Sequence, residues 1–195
     1  LTGFKFIGEQ IGILEKQGEE DRFIFGYEES YGYLAGNYVR DKDAVNASML
    51  ICEMAAFYRT KGISLIQARE NMYKTYGVYY HTQQSFTFEG KAGMEKMNSI
   101  MENLRKNYVA EIGGLKVILF EDYLEGISKN VETGKITEIK LPKSNVLVFG
   151  LTDGAKVIIR PSGTEPKIKA YYTAIGETQS DAQALEKKLA ESFSK

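Results

Sequence analysis

A single cysteine in 195 residues, Cys52, excludes an intrachain disulfide. It lies in an apolar helical pattern, which predicts a buried thiol in a reducing compartment. Tryptophan is absent, and the one histidine, His81, has no cysteine or carboxylate at ligand spacing, so a histidine-centred metal site is not indicated. No apolar run approaches the roughly 20 residues of a membrane helix, and no secretory leader pattern opens the chain. The expectation is a soluble, cytoplasmic protein. Charge of one sign is not in excess either, with 25 Lys and Arg against 26 Asp and Glu. That balance gives no general attraction to nucleic acid or to anionic membranes, so any bound anion must be held locally. What remains, 43% hydrophobic and 26% charged residues without repeats or low-complexity tracts, is globular composition. The sequence begins Leu1-Thr2-Gly3 without an initiator Met, and a piece of a longer protein is expected.

Phe4, Ile7, Ile11 and Leu14 recur at helical spacing, against the helix-weakening Gly8 and Gly12. Residues 22–27, aromatic and β-branched, read as a buried strand feeding a loop over residues 28–43. Asp43 is placed to cap a long helix with Ala47, Leu50, Ile51, Met54, Ala55 and Tyr58 on its apolar face, ending near Gly62. Ser64 and Gln67 form a capping-box pattern for a further helix that stops at Gly77. A boundary there divides residues 1–75 from residues 76–195. Residues 76–88 read as an edge strand, and Met94, Met97, Met101, Leu104 and Tyr108 mark one apolar helix face. Strands follow at residues 115–120, 136–140, 146–151, 155–159 and 168–174, with hairpin signals at Thr133-Gly134 and Asp153-Gly154. A last helix, capped by Thr178 or Ser180, turns Ala182, Leu185, Leu189 and Phe193 to one side. Residues 76–195 are thus expected to form a small α+β domain whose antiparallel sheet is covered on one face by two helices.

Two segments concentrate polar chemistry. Residues 160–167, Arg-Pro-Ser-Gly-Thr-Glu-Pro-Lys, join two predicted strands. Gly163 permits a concave nest of backbone N–H groups, Ser162 and Thr164 add hydroxyls, Arg160 offers a bidentate fork and Lys167 a point charge. Strand alternation puts Lys169 on the face of Lys167. The segment is no Walker loop, since it joins strands and lacks the Gly-Lys-Ser/Thr ending. Residues 26–33, Gly-Tyr-Glu-Glu-Ser-Tyr-Gly-Tyr, bring Glu28, Glu29 and Ser30 to a strand end, where carboxylates accept hydrogen bonds from sugar hydroxyls. Taken alone, each segment also fits a solvated polar turn. Asp41 and Asp43, with a lysine between them, read as a helix start and not as metal ligands. The 13 tyrosines, without Trp, basic patches or RNA motifs beside them, read as core and rim packing.

The 160–167 segment resembles the phosphate-binding signature in the last domain of the α-D-phosphohexomutases, the phosphoglucomutase/phosphomannomutase family. Residues 26–32 are similar to the sugar-binding loop of that family's third domain, and residues 2–9 and 40–44 also resemble third-domain segments. The two loops stand in the family's order, about 130 residues apart. The resemblance implies that residues 1–75 are the carboxy-terminal portion of an α/β third domain and residues 76–195 a TBP-like fourth domain. It assigns Arg160, Ser162, Gly163, Thr164 and Lys167 to a substrate phosphate and Glu28 and Ser30 to sugar hydroxyls. Lys42 and Lys169 are further candidate contacts, and Glu29 is structural.

For the parent enzyme the resemblance implies reversible transfer of a phosphoryl group between the 1- and 6-positions of a hexose, through a bisphosphorylated intermediate. Glucose 1-phosphate and 6-phosphate are favoured, because the 26–32 loop looks closest to bacterial α-phosphoglucomutases and related phosphopentomutases. The family's phosphoserine motif and its Asp-rich magnesium loop belong to the first two domains, and neither occurs in this sequence. No catalytic residue, Mg²⁺ ligand or mutase activity is therefore expected in this chain, whereas self-association through apolar surface exposed by truncation is. A stand-alone, non-catalytic sugar-phosphate-binding or interaction module and a phosphopentomutase are the alternative readings.

Overall fold

The computed structural model describes residues 3–28, 30–163 and 165–193. The chain forms two compact units, Leu1–Asn71 and Met72–Lys195.

In the first unit α1, Lys5–Lys16, packs Phe4 and Ile11 against Leu34, with Ile7 and Phe23 around them. Gly8 lies within this helix because a Cβ there would stand 2.4 Å from the Arg40 carbonyl oxygen. Close backbone approach, not tolerance of a weak helix former, explains that residue. Strand β1, Phe25–Glu28, pairs antiparallel with β2, Gly32–Ala35, in the register Tyr27 to Tyr33 and Glu28 to Gly32. Two expectations are corrected here. The segment at residues 22–27 is not a buried strand: Glu20–Arg22 form a 3₁₀ turn, pairing begins at Phe25, and Phe25 and Tyr27 project outward while Gly26 is buried. Residues 28–43 are not all loop, because Tyr33 and Leu34 alternate outward and inward as β2. A two-stranded ribbon with cover on one face cannot bury both sets of side chains.

Helix α2, Ala44–Thr60, starts where Asp43 accepts hydrogen bonds from the amides of Val45 (2.8 Å) and Asn46 (3.0 Å). The predicted cap is present, and the Tyr38 hydroxyl adds a third donor to the same carboxylate at 2.7 Å. The amide of Asn46 and the Tyr38 hydroxyl hold the Asp43 carboxyl below the ordinary carboxylate range, and the bond to Asp43 raises the Tyr38 phenol. No residue of α2 is buried; Leu50, Ile51 and Met54 are exposed. Cys52 is exposed as well, which corrects the buried thiol read from the pattern. The apolar stripe is real in the sequence, but among the described residues nothing covers it. Helix α3, Leu65–Tyr76, opens with the predicted capping box, Ser64 N–H to Gln67 Oε1 (2.8 Å) and Gln67 N–H to Ser64 Oγ (3.2 Å), and carries the chain into the second unit.

The second unit is built on a sheet in the order β3-β10-β9-β8-β5-β6-β7. Its strands are β3 (Val78–Thr87), β5 (Leu115–Asp122), β6 (Ile127–Asn130), β7 (Ile136–Glu138), β8 (Leu147–Leu151), β9 (Lys156–Pro161) and β10 (Lys167–Gly176), and β4 (Glu111–Ile112) pairs with β5. Every pairing is antiparallel. Strands β4 and β6 have no apolar alternation long enough to read from sequence. Helices α4 (Gly90–Lys106) and α5 (Gln179–Phe193) share one core with the sheet, Met97, Met101 and Leu189 meeting Phe120, Phe149, Val157, Ile159 and Tyr172. Met94, in the same sequence stripe, is exposed. Thr178, not Ser180, caps α5, its Oγ accepting from the Asp181 amide at 3.2 Å. Burial pushes the Tyr172 phenol up to about 12, and its hydroxyl donates to Gln84 Oε1 at 3.2 Å.

One buried polar cluster ties α4 to the far half of the sheet. Asp122, 1% exposed, accepts from Arg105 Nε at 2.7 Å and from the Leu124 amide at 2.9 Å, while Arg105 also donates to Asn145 Oδ1 at 2.8 Å. Arg105→Met leaves that carboxylate buried without its counter-charge and is expected to cost about 3 kcal/mol, read as a fall in the urea midpoint at unchanged slope. For α2, the folded Asp43 pKa lies below its unfolded value. The cap is therefore complete above about pH 4 and is lost as the pH falls through the folded pKa. The Val45 and Asn46 amide resonances should titrate together below pH 4, and Asp43→Asn should abolish that titration while keeping the helix.

Candidate functional site

In the first unit the tip of the β1–β2 hairpin holds the sugar-loop residues. Glu28 ends β1 with its side chain only 13% exposed, and its Oε1 lies 3.8 Å from Lys42 Nζ. This approach depends on Gly32, the partner of Glu28 across the hairpin. A Cβ on Gly32 would stand 2.7 Å from both Glu28 Oε1 and Lys42 Cδ, so any larger residue would push the two side chains apart. Lys42 is held from two other directions, by Asp41 Oδ1 at 3.1 Å and by the Phe4 ring, 5.8 Å below its ammonium. The Lys42 amide holds the Asp41 carboxyl below the ordinary range. Ser30 is exposed at the turn, and Tyr31 beside it adopts φ 63°. A non-glycine residue in that conformation sharpens the turn and is uncommon outside turns and functional loops. Glu29 lies outside the described residues. The hairpin thus brings Glu28 and Lys42 into one acceptor-donor pair with Ser30 on the adjacent turn, an arrangement that can hydrogen-bond vicinal hydroxyls.

In the second unit the 160–167 segment connects β9 to β10. The Ser162 amide donates to the Lys167 carbonyl at 2.7 Å, the Lys167 amide to the Glu165 carbonyl at 2.8 Å, and the Phe88 amide to the Pro166 carbonyl at 2.8 Å. These bonds correct part of the nest reading: the N–H groups of Ser162 and Lys167 close the loop on itself and are not turned toward a ligand. Gly163 does not use its freedom for a positive φ, and a Cβ there would meet nothing within 4 Å. Thr164 lies outside the described residues. Lys167 Nζ contacts Glu165 Oε2 at 3.0 Å, so an anion at this lysine competes with an internal carboxylate.

The cations are ordered by sheet register. Arg160 and Lys169 are direct partners across β9 and β10, and Lys167 lies two residues from Lys169 on the same face, opposite the helices. On the other side β3 sets Ser85 beside Lys169 and Thr87 beside Lys167. Those two hydroxyls were not singled out from the sequence, because no periodicity within β3 tells which strand it pairs with or in what register. Tyr38 and Gly32 were missed for the same reason: their parts, a third donor to Asp43 and clearance for Glu28, appear only with tertiary contacts. Among the described residues there is no grouping of three or more His, Cys, Asp or Glu side chains that could hold a metal ion. Among the described residues no helix is long and apolar enough to cross a membrane.

Comparison with known proteins agrees in both units. Residues 1–76 match the family model for phosphoglucomutase/phosphomannomutase α/β/α domain III, and residues 96–192 match that for the phosphoglucomutase/phosphomannomutase C-terminal domain. A phosphoglucomutase of Staphylococcus epidermidis is 42% identical over 173 residues and one of Staphylococcus aureus 44% identical over 173 residues. Each alignment covers 89% of this chain and 31% of the relative, so the chain spans about a third of the relatives' length. Among solved structures, the open form of the exocytosis-sensitive phosphoprotein pp63/parafusin, a phosphoglucomutase from Paramecium, superposes with a TM-score of 0.62 at 20% identity over 99% of this chain and 31% of that one. With the helix-covered antiparallel sheet, these matches show that the chain belongs to the phosphoglucomutase/phosphomannomutase family.

Proposed function

We propose that this chain supplies the substrate-binding part of a hexose-phosphate mutase: the β9–β10 loop holds the phosphate remote from the reacting end of the sugar, and the β1–β2 hairpin tip holds sugar hydroxyls. The observation that carries the reading is the pairing of Arg160 with Lys169 on the sheet face away from the helices, with Lys167 on the same face and an open Gly163 at the loop. A guanidinium fork beside an ammonium matches a phosphate's planar and point-charge contacts. Glu28, fixed by Gly32 and Lys42, accepts from a hydroxyl, and Ser30 donates or accepts.

The contribution of these groups to a mutase reaction is positional. Binding energy gathered at the non-reacting phosphate orients the opposite end of the sugar, and only contacts that persist or strengthen in the transition state accelerate the transfer. Either phosphate must fit after the intermediate reorients, and cations on a sheet face serve both, since they recognise the phosphate group without enclosing the sugar. Glucose 1-phosphate and glucose 6-phosphate are the proposed substrates of the whole enzyme. The serine that carries the phosphoryl group and the magnesium that supports its transfer would come from outside this chain.

Titration with glucose 6-phosphate should give saturable binding that Arg160→Ala weakens about 10- to 100-fold, the loss of a charged hydrogen-bonding partner. Equal affinity after that substitution overturns the assignment. Removing the competing carboxylate with Glu165→Gln should strengthen binding up to about fivefold, the scale of an exposed ion pair. Glucose 1-phosphate should bind to the chain without being turned over in a coupled assay; measurable conversion by the purified chain sinks the division of labour proposed here.

A further inference from the structure

Beneath the same loop, on the opposite side of the sheet, the second unit contains a cavity of about 300 Å³. It opens between α4 and the ends of β3, β9 and β10, and its walls include Phe86, Phe88, Ile100, Leu104 and Phe193. These side chains pack against the main core but are only partly buried themselves, so the core stops short of filling the space between the helices and the sheet. The volume falls at the lower end of the range of small-molecule pockets, roughly 300–1,000 Å³. The lining is apolar except for one residue, Lys96.

Lys96 gives the cavity a chemical direction. It stands one helical turn before Ile100 on α4, so both are on the same helix face, and its Nζ lies 5.6 Å from the centre of the Phe88 ring. No described carboxylate lies within salt-bridge distance of it. A half-open apolar cleft with one exposed ammonium among its lining residues is complementary to a molecule with an apolar body and one anionic end. From this geometry we infer that the cavity is a binding site for a single-chain carboxylate such as a medium-chain fatty acid, its alkyl chain between Phe86, Ile100 and Phe193 and its carboxylate at Lys96. The site lies on the opposite side of the sheet from the β9–β10 loop cations, and the two share the Phe88 strand end that bonds Pro166.

Octanoate and octanol, titrated against the whole chain below their aggregation concentrations and followed by amide resonances, test the inference. Octanoate should bind saturably with the largest shifts at Phe86, Phe88, Lys96, Ile100 and Phe193. Lys96→Met should weaken octanoate about fivefold, as expected for one exposed ion pair, and leave octanol unchanged. Ile100→Trp should fill the chamber and abolish both, with the circular dichroism spectrum preserved; should that variant not fold, the resonance map and the Lys96→Met pair decide. Arg160→Ala should have no effect. Non-saturable binding, shifts centred elsewhere, equal affinity for octanoate before and after Lys96→Met, or loss of octanoate binding with Arg160→Ala would each overturn the site.

Discussion

The second unit depends on one antiparallel pairing, β9 with β10, in the register that sets Ile168 opposite Pro161 and Lys169 opposite Arg160. Because strand side chains alternate, this single register performs two sortings at once. Ile168, Ala170, Tyr172 and Ala174 turn to the helices and enter the core, and Lys167, Lys169 and Arg160 turn the other way. A slip of one residue would bury the cations and expose the core. Apolar burial, at roughly 1.5–3 kcal/mol for each large side chain, therefore enforces the position of charged groups that contribute little to stability themselves. The loop between the strands inherits that geometry, closed by the Ser162–Lys167 and Phe88–Pro166 hydrogen bonds.

The first unit reaches its arrangement differently. Its candidate site does not sit over a large core but on a hairpin braced by short polar contacts: Asp43 to the α2 amides, Asn46 to the Ala35 amide, and Lys42 between Asp41 and Glu28. The β2 strand and the start of α2 are linked again by the Asp43 amide bonding the Tyr33 carbonyl. Gly32 is the permissive element, since the two charged side chains cross above its missing Cβ. Outside this braced tip, the unit presents Ile24, Tyr27, Val45, Met49 and Phe57 to solvent. The contrast between the polar contacts around Glu28 and Lys42 and the apolar, uncovered α2 is what separates the site from its scaffold.

Much of the local structure was legible from residue types. Asp43, the Ser64–Gln67 box, Thr178 and the Asp153-Gly154 turn each act through atoms a few residues apart, so their chemistry can be read along the chain. The misreadings have a common cause. Cys52, Leu50, Met94, Phe25 and Tyr27 are apolar, and apolar residues at regular spacing predict burial, but burial needs a partner surface that no local pattern specifies. Strands β4 and β6 are held by their neighbours and not by their own composition.

The sequence by itself determined the starts of α2, α3 and α5, the alternation that separates Ile168 from Lys167 and Lys169, and the concentration of Arg160, Ser162, Gly163 and Lys167 in one loop, because all of these follow from covalent neighbours and backbone periodicity. Only the tertiary structure decided that Arg160 stands beside Lys169, that Ser85 and Thr87 join them from β3, that two loop amides are already occupied, and that Gly32 lets Glu28 meet Lys42. Those facts depend on register and on clearance between segments distant in the chain. They are settled by the simultaneous packing of many side chains, which no stretch of sequence contains.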